Sequence, residues 1–171
     1  MTSQPGYILQ TERLRLRPFN LDDWEFIILL LNSEGWLKYI GDRNVKTKEQ
    51  AHNYLKNGSL KSYEQNGFGL SMVETKDGKP IGMCGLIKRD YLDHPDIGFA
   101  FLPEYSSMGY GYEIACAVLV HARNDLSMTT ISAITVPNNV KSIGLLEKIG
   151  LRFVKSFRTE PGAEELMLYS T

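Results

Sequence analysis

The chain has 171 residues, of which 43% are hydrophobic, 23% charged and 11% aromatic, and its formal net charge is −1. This length and composition are typical of one soluble globular domain and exclude a disordered, collagen-like or coiled-coil chain. Because a nearly neutral chain has no global electrostatic field, we expect neither nucleic acid nor an anionic membrane as a partner.

The amino terminus and the two cysteines both indicate a cytoplasmic protein. The stretch "MTSQPGYILQ" lacks the basic region and long apolar core of a secretory signal, and no run in the sequence approaches membrane-spanning length. Cys84 and Cys116 lie in apolar surroundings without CxxC or Cys/His spacing. We therefore expect buried, reduced thiols and no metal site.

The first predicted element is a strand. In "YILQTERLRLRPF", Leu14 and Leu16 alternate with arginines, and this period of two predicts a strand with one apolar face and one basic face. The basic face is expected to be solvated. The strand is expected to stop at Pro18.

Helices are predicted next. Asn20 is followed three residues later by Asp23, and Thr47 by Gln50, which is the spacing of a capping box at a helix start. Large apolar residues recur at helical spacing after Asn20. The Asn-Gly pair at 57–58 interrupts the second helical segment, so either one helix or two shorter ones are predicted there.

The second half of the chain predicts strands that alternate with helices. "FGLSMVE" and "PIGMCGLIK" flank the turn "KDGK", in which Asp77 and Gly78 are expected to supply the positive φ angles of a tight hairpin. The elements predicted after it are a strand "PDIGFAFL", a helix from Tyr112 to about Asn124, a strand "TISAITV", a helix from Asn139 to Ile149 stopped by Gly150, and a closing hairpin of "RFVKSFR" and "EELMLYS". This order predicts an α/β or α+β domain with a single mixed sheet and helices on its faces.

The junction between the strand "IGFAF" and the following helix is a candidate binding site. It holds Ser106, Ser107, Gly109 and Gly111, and a helix that starts after small residues presents free backbone N–H groups at the positive end of its dipole. A diphosphate suits such a turn, although two glycines also suit a plain tight turn. The sequence has neither the full dinucleotide fingerprint nor a P-loop Gly-Lys-Ser/Thr.

Together with "NVKSIGLLEKIGL", this junction resembles the GNAT superfamily of acyl-CoA-dependent N-acetyltransferases, particularly its RimJ/RimL-like branch. "DIGFAFLPEYSSMGYGYE" is similar to the strand, Pro-x-Tyr and Gly-x-Gly/Ala turn of that branch, and the later stretch to its Asn-x-x-Ser helix. "TERLRLRPFNLDD" is similar to its first strand and helix entry. The resemblance implies an N-acetyltransferase domain over residues 7–171, in which helices, about four in number, cover a mixed, mostly antiparallel twisted sheet of about seven strands, splayed at the cofactor cleft.

The resemblance also implies acetyl-CoA as the cofactor and the positions that bind it. The main chain of Phe99, Ala100 and Phe101 is expected to pair with the pantetheine arm, as an added β-strand would. The residues expected around the pyrophosphate are Ser106, Ser107, Met108, Gly109, Tyr110, Gly111 and Tyr112. Asn139 and Ser142 are expected to touch the arm near the thioester.

The chain departs from the superfamily at two positions. Ser106 stands where an arginine or glutamine usually opens the Gly-rich turn, so one charged contact to the cofactor is expected to be absent. Leu146 stands where several relatives carry a tyrosine that acts as general acid, so that route is closed.

Acetyl transfer to an amine needs a neutral amine, a stabilised oxyanion and a proton for the departing thiolate. Asp96, where relatives often carry a glutamate, is the candidate base, acting through water; the alternative is a solvent-facing strand carboxylate without a catalytic role. Ser142 is the candidate proton donor; the alternative is a hydroxyl bonded locally in the first helical turn. Backbone N–H groups near Phe101 are expected to polarise the thioester carbonyl.

Two functions compete at this stage. The first is acetyl-CoA-dependent N-acetylation of a primary amine by direct attack in a ternary complex, with a protein N-terminus as one acceptor. The second is a non-catalytic acyl-CoA sensor, suggested by the two departures. In this family the acceptor lies against the first helices and loops, here "NSEGWLKYIGDRN" and "RDYLDH", which have no pattern that identifies it. Polyamines, amino acids and antibiotics stay open as acceptors, as do a monomer and a homodimer.

Overall fold

The structure is a computed structural model, and it describes residues 6–171. Residues 1–5, half of the stretch considered above as a targeting segment, lie outside the described residues. The strands are β1 (Leu9–Gln10), β2 (Leu14–Pro18), β3 (Leu70–Thr75), β4 (Pro80–Ile87), β5 (Asp96–Phe101), β6 (Ser132–Thr135), β7 (Arg152–Phe157) and β8 (Leu166–Ser170). The α-helices are α1 (Trp24–Leu31), α2 (Glu34–Tyr39), α3 (Lys48–Leu55), α4 (Lys61–Asn66), α5 (Tyr110–Asn124) and α6 (Val140–Lys148).

The strands form one mixed sheet. Within residues 6–171 it has eight strands in the order β1-β2-β3-β4-β5-β6-β8-β7, and every neighbouring pair is antiparallel except β5 with β6. The prediction of an α/β domain with a mixed, mostly antiparallel sheet is confirmed. The order of elements also agrees with the sequence pattern, apart from one added strand and one added short helix.

The added strand arises because the first predicted element is a hairpin. β1 pairs with β2 so that Leu9 lies opposite Leu16, and the backbone N–H of Thr11 donates to the carbonyl of Leu14 at 2.9 Å to close the turn. Leu14 is fully buried, as the alternation predicts. The turn was not predicted because residues 11–13 include none of the Gly, Pro, Asn or Asp that usually mark one.

The basic face was expected to be solvated, but only Arg13 is exposed, whereas Arg15 and Arg17 are half-buried. Arg17 forms ion pairs with Glu74 at 2.6 Å and with Asp23 at 2.8 Å, and both carboxylates are buried. A buried carboxylate is costly without a paired cation, so these pairs lock β2 to β3 and to the entrance of α1.

The helix starts predicted at Asn20 and Thr47 are confirmed, whereas α5 begins at Tyr110, two residues before the predicted Tyr112. Capping boxes are present at Asn20 and at Thr47. The Asn-Gly pair at 57–58 does not divide the helix, because α3 continues through a π-helical turn, Lys56–Leu60, directly into α4. The added helix is α2, which has six residues and is too short to show a helical period.

The hairpin of β3 and β4 is confirmed, but its turn differs from the prediction. Gly78 has a φ of +84°, whereas Asp77 is not among the described residues with positive φ. The N–H of Gly78 donates to the carbonyl of Thr75 at 2.9 Å, so the turn needs only one left-handed residue. Gly150, with a φ of +102°, follows α6 as predicted.

Two apolar cores lie on opposite faces of the sheet, because side chains alternate along each strand. Val73 and Cys84 belong to the core that α5 and α6 cover, and Met72 and Met83 to the core that α1 and α3 cover. Both cysteines are free, as expected, although Cys116 is half-buried rather than buried. Within residues 6–171, no helix combines the length and the apolar character needed to cross a membrane.

Candidate functional site

The sheet opens between β5 and β6. These parallel strands pair at Asp96 and Ser132, where the N–H of Ser132 donates to the carbonyl of Pro95 at 2.9 Å. No later pair joins them within residues 6–171, so the strands separate toward the carboxyl end of β5. The resulting cleft in the middle of the sheet is the splayed geometry that the sequence resemblance implied.

The register with β4 decides which backbone groups face this cleft. The N–H of Leu102 donates to the carbonyl of Ile81 at 3.0 Å, so the main chain of Leu102 and, two residues earlier, of Ala100 points toward β4. The N–H and C=O groups of Phe99 and Phe101 therefore point into the cleft. Ala100 was also expected to offer its main chain to the cleft, but its N–H and C=O groups pair with β4 instead.

A cavity of about 500 Å³ occupies the cleft and extends toward α2 and α3. The lining residues that the sequence had singled out are Asp96, Phe99, Ala100, Asn139, Ser142 and Leu146. Those contributed by the two stretches expected to contact the acceptor include Trp36, Tyr39, Arg43, Arg89 and Tyr91. Tyr54 and Glu164 also line the cavity, and nothing in their sequence surroundings indicated it.

The turn before α5 has an unusual backbone. Gly109 has a φ of +80°, and Ser107 has a φ of +61°, which is uncommon for a residue other than glycine. The first helical hydrogen bond runs from the N–H of Glu113 to the carbonyl of Gly109, so the N–H groups of residues 110–112 have no acceptor within the helix. Gly109, the N-cap, has no side chain to accept from them. The turn thus presents three donors at the positive end of the helix dipole.

The two glycines of the turn have different structural roles. Gly109 adopts the left-handed conformation, whereas a Cβ at Gly111 would lie 3.1 Å from Leu145 Cδ2 and 3.6 Å from Phe101 Cε2. The absence of that Cβ allows α6 and β5 to pack closely against the first turn of α5. The turn therefore borders the cleft at Phe101, although residues 106–112 do not line the cavity itself.

Glu113 ties the start of α5 to the hairpin of β1 and β2. Its carboxylate accepts from the Thr11 hydroxyl at 2.6 Å, from the Arg13 backbone N–H at 2.8 Å and from Arg13 Nε at 2.7 Å. Arg13 also donates from Nη1 to the carbonyl of Met108 at 3.1 Å, and its guanidinium carbon lies 4.5 Å from the centre of the Tyr110 ring. The hairpin thus holds the turn in place.

We expect Glu113 to make an acid-sensitive contribution to stability. Burial by itself would raise the pKa of Glu113, but hydrogen bonds from Thr11 and Arg13 outweigh it and hold the pKa below its ordinary value. The stabilisation is therefore fully present above the ordinary glutamate pKa of ~4.3 and is lost as the pH falls through the lower folded-state pKa. Denaturant unfolding of the wild type and of Glu113→Gln, from about pH 7 to about pH 3, should show the difference between their free energies of unfolding narrowing. A difference that stays constant would contradict the prediction.

Asp96 lies at the closed end of the cleft and is only 1% exposed. Arg89 Nε contacts both of its carboxylate oxygens, at 3.0 and 3.1 Å. Burial raises the pKa of Asp96, and the Arg89 guanidinium offsets part of that rise. The carboxylate is thus half of a buried ion pair and not the solvent-facing strand carboxylate that had been the alternative.

Asn139 and Ser142 line the cavity from the start of α6. Asn139 is the N-cap, and its Oδ1 accepts from the backbone N–H of Ser142 at 3.2 Å. The Ser142 hydroxyl makes no hydrogen bond to another residue in the range 6–171, so it is not a locally bonded hydroxyl there. Leu146, one turn later, is buried and lines the same cavity without offering a hydroxyl.

Comparison with known proteins shows which sequences and folds this chain is similar to. Residues 13–152 match the family model described as acetyltransferase (GNAT) domain. The uncharacterized N-acetyltransferase YnaD of Bacillus subtilis (strain 168) is 27% identical over 144 residues, which are 84% of this chain and 82% of YnaD.

Two solved structures illustrate the similarity in fold. The crystal structure of an acetyltransferase (GNAT family) from Bacillus anthracis has a TM-score of 0.78 and 26% identity, and the match covers 95% of this chain and 96% of that one. The ribosomal L7/L12 α-N-protein acetyltransferase RimL, solved in complex with coenzyme A, has a TM-score of 0.82 with 96% and 97% covered. Its identity is 14%, so this second likeness concerns the fold alone.

Proposed function

The chain belongs to the GNAT acetyltransferase family, and from that premise we propose that it is an acetyl-CoA-dependent N-acetyltransferase whose catalytic domain spans residues 7–171. The acetyl group passes to a primary amine by direct attack while both substrates are bound. The observation that carries this proposal is the cleft between β5 and β6, into which the main-chain groups of Phe99 and Phe101 point.

The residues around the cleft suit acetyl-CoA. The amides of an extended pantetheine arm can pair with the free edge of β5, as an added strand would. The three N–H groups at the start of α5 suit a pyrophosphate, and the hydroxyls of Ser106 and Ser107 are additional donors. Asn139 and Ser142 lie on the wall formed by α6. When bound, acetyl-CoA supplies the acetyl group as a thioester that is activated toward attack.

The cysteines favour direct attack over an acyl-enzyme. Cys84 lies opposite Phe99 on β4, but it is fully buried, and burial raises the pKa of its thiol to about 12. So little thiolate exists near neutral pH that Cys84 is a poor nucleophile. Among the described residues that line the cavity there is no cysteine. In a single displacement, the amine nitrogen bonds to the acetyl carbon, the carbon–sulfur bond breaks, the amine loses a proton and the thiolate gains one.

In this proposal Ser142 donates the proton to the thiolate and regains one from solvent, and Asp96 receives the proton of the amine. Ser142 suits its role because its hydroxyl has no competing partner in residues 6–171 and lines the cavity. Asp96 is nearly inaccessible, so it acts through a water molecule and not by direct contact. Because Arg89 already neutralises Asp96, we expect Asp96→Asn to slow the reaction by less than about tenfold.

The proposed acceptor is an α-amine, as in the RimJ/RimL-like branch. The resemblance of three stretches to that branch supports this choice. The chemistry of the site points the same way. A lysine ε-amine, with a pKa of ~10.4, is neutral about once in a thousand molecules at pH 7.4, whereas an α-amine with a pKa of ~7.7–8.0 is neutral far more often. The base of this site is buried, and Leu146 stands in place of the tyrosine acid. Such a site suits the amine that is more often neutral and so needs less help with deprotonation.

Two matched peptides test this choice. We expect a lysine-free peptide with a free N-terminus to have a kcat/KM at least about tenfold above that of the same peptide blocked at its N-terminus and carrying one lysine, near neutral pH. Release of free thiol from acetyl-CoA is the measurement, and the blocked peptide without lysine is the control. Faster acetylation of the lysine-bearing peptide would contradict the α-amine preference. Tight acetyl-CoA binding without thiol release for any amine would instead favour the sensor.

A further inference from the structure

The cavity extends beyond the cleft into a region rich in hydrogen-bond donors. Arg43 from the loop after α2, Arg89 from the loop after β4 and Tyr54 from α3 all line it. Trp36 lines it too, and its indole N–H is buried without a partner in residues 6–171. Arg43 is exposed, Tyr54 and Arg89 are half-buried, and only Trp36 is buried. Because a buried donor normally finds an acceptor, this region is complementary to a group that only accepts.

Both guanidiniums lie on the cavity wall that Tyr54 also lines. Burial raises the pKa of Tyr54, and the positive charges of Arg43 and Arg89 both oppose that rise. Within residues 6–171, the side chain of Arg43 makes no ion pair and no hydrogen bond. Among the described residues, Arg43 is therefore an exposed cation without a partner at the cavity wall.

Arg89 is held in position by the buried carboxylate of Asp96. Only its Nε is used in that pair, and its two terminal nitrogens make no hydrogen bond to other residues in the range 6–171. Because the guanidinium is planar, fixing Nε also fixes the direction of the free nitrogens. The two arginines and Asp96 together leave one net positive charge, which matches a single negative charge better than a doubly charged phosphate.

The other carboxylate that lines the cavity is that of Glu164, on the segment that leads into β8. Asp96 is level with Ser132, and Ser132 is level with Ser170 on β8. Glu164 precedes Ser170 by six residues, which is ~20 Å along an extended strand. Along the sheet, Glu164 is therefore distant from Asp96, which holds Arg89.

We propose that the acceptor amine carries a carboxylate, and that Arg43 and Arg89 bind it beside the Tyr54 hydroxyl. This inference rests on the proposed function, because it names the class of acceptor that the same cavity takes. A free amino acid and a peptide that begins with an acidic residue both have this chemistry. A carboxylate accepts two parallel hydrogen bonds from a guanidinium, so binding here also orients the amine.

A binding experiment tests the proposal without requiring turnover. N-acetylated amino acids are the products expected from free amino acids, and their α-amides differ only in lacking the carboxylate. In calorimetric titrations with coenzyme A present, we expect the acids to bind at least about tenfold more tightly than the amides, and Arg43→Gln to abolish the difference. Arg43 is the residue to change, because removing Arg89 would leave Asp96 buried without a partner. Arg123→Gln, at an exposed position on α5, is the matched control and should retain the difference.

Turnover then distinguishes the two sources of carboxylate. The first comparison is between free amino acids and their α-amides. The second is between C-terminally amidated peptides that begin with Asp or Glu and the same peptides that begin with Asn or Gln. The pair that matches the natural acceptor should show a kcat/KM at least about tenfold higher for the acid, mainly through KM, and Arg43→Gln should remove this advantage. The ammonium group of an amino-acid amide is more acidic than that of the free amino acid, so a larger fraction of the amide has a neutral amine. This difference favours the amide and works against the expected result.

The outcomes separate this inference from the proposed function. Amides that bind and react as well as the acids, or an Arg43→Gln variant that loses both equally, would overturn the carboxylate site while leaving the acetyltransferase assignment intact. Binding of the acids that depends on Arg43, without thiol release from any amine, would support the carboxylate site and refute the catalytic assignment.

Discussion

Replacing Gly109 with valine is expected to weaken acetyl-CoA binding at least about hundredfold, which corresponds to the loss of two hydrogen bonds to a charged group. Gly109 has a φ of +80°, where a branched side chain is strained, so the turn would have to move. The N–H groups of residues 110–112 would then no longer converge on one anion. Calorimetric titration with acetyl-CoA measures the loss.

Gly67→Val is the matched control for this variant. Gly67 has a φ of +76°, caps the end of α4, and has open space where a Cβ would lie. Both substitutions should lower the melting temperature through similar backbone strain, but only Gly109→Val should lose affinity for acetyl-CoA. Unchanged affinity in Gly109→Val would refute the turn as a phosphate site. An equal loss in both variants would assign the effect to strain.

Replacing Ser142 with alanine is expected to lower kcat by about tenfold to hundredfold, if its hydroxyl donates the proton to the departing thiolate. The affinity for acetyl-CoA should change little, because the Asn139 cap bonds the backbone N–H of Ser142 and not its side chain. A kcat defect without a binding defect is the signature of an interaction made in the transition state. Steady-state kinetics of thiol release with a free-N-terminus peptide measures it.

The conservative variant Ser142→Thr keeps the hydroxyl and should recover most of the lost rate. Asp96→Asn is the comparison at the other proton-transfer position, and we expect it to lower the rate less. Asp96→Asn should also shift the acid limb of the pH–rate profile, whereas Ser142→Ala should leave that limb unchanged. A wild-type kcat in Ser142→Ala would remove this hydroxyl from the mechanism.

Features specified by neighbouring residues could be predicted from the sequence. The capping boxes at Asn20 and Thr47 involve partners three residues away, and both helices begin where predicted. Gly78 and Gly150 mark turns because glycine adopts positive φ at little cost. The turn at Gly109 was located for the same reason, since a strand end, small residues and a helix start follow each other directly along the chain.

Features that depend on packing between distant segments were wrong or not predicted. The arginine face of β2 was expected in solvent, but Arg17 reaches Glu74 on the neighbouring strand. The pattern predicted one strand where β1 and β2 form a hairpin, because its turn has no residue that marks a turn. The sequence left open whether the Asn-Gly pair at 57–58 divides the second helical segment, and the structure shows that the segment continues through a π-helical turn.

By itself the sequence determined the order of the strands and helices other than β1 and α2, the helix starts at the two capping boxes and the place of the candidate phosphate turn, because each depends on a few adjacent residues. Only the tertiary structure decided that Phe99 and Phe101 offer main-chain groups to the cleft, that Arg89 holds Asp96, and that Arg43 and Tyr54 share one cavity with them. The physical reason is register and packing: a shift of one residue between β4 and β5 would turn the main chain of Ala100 into the cleft instead, and no local pattern in the sequence specifies that alignment.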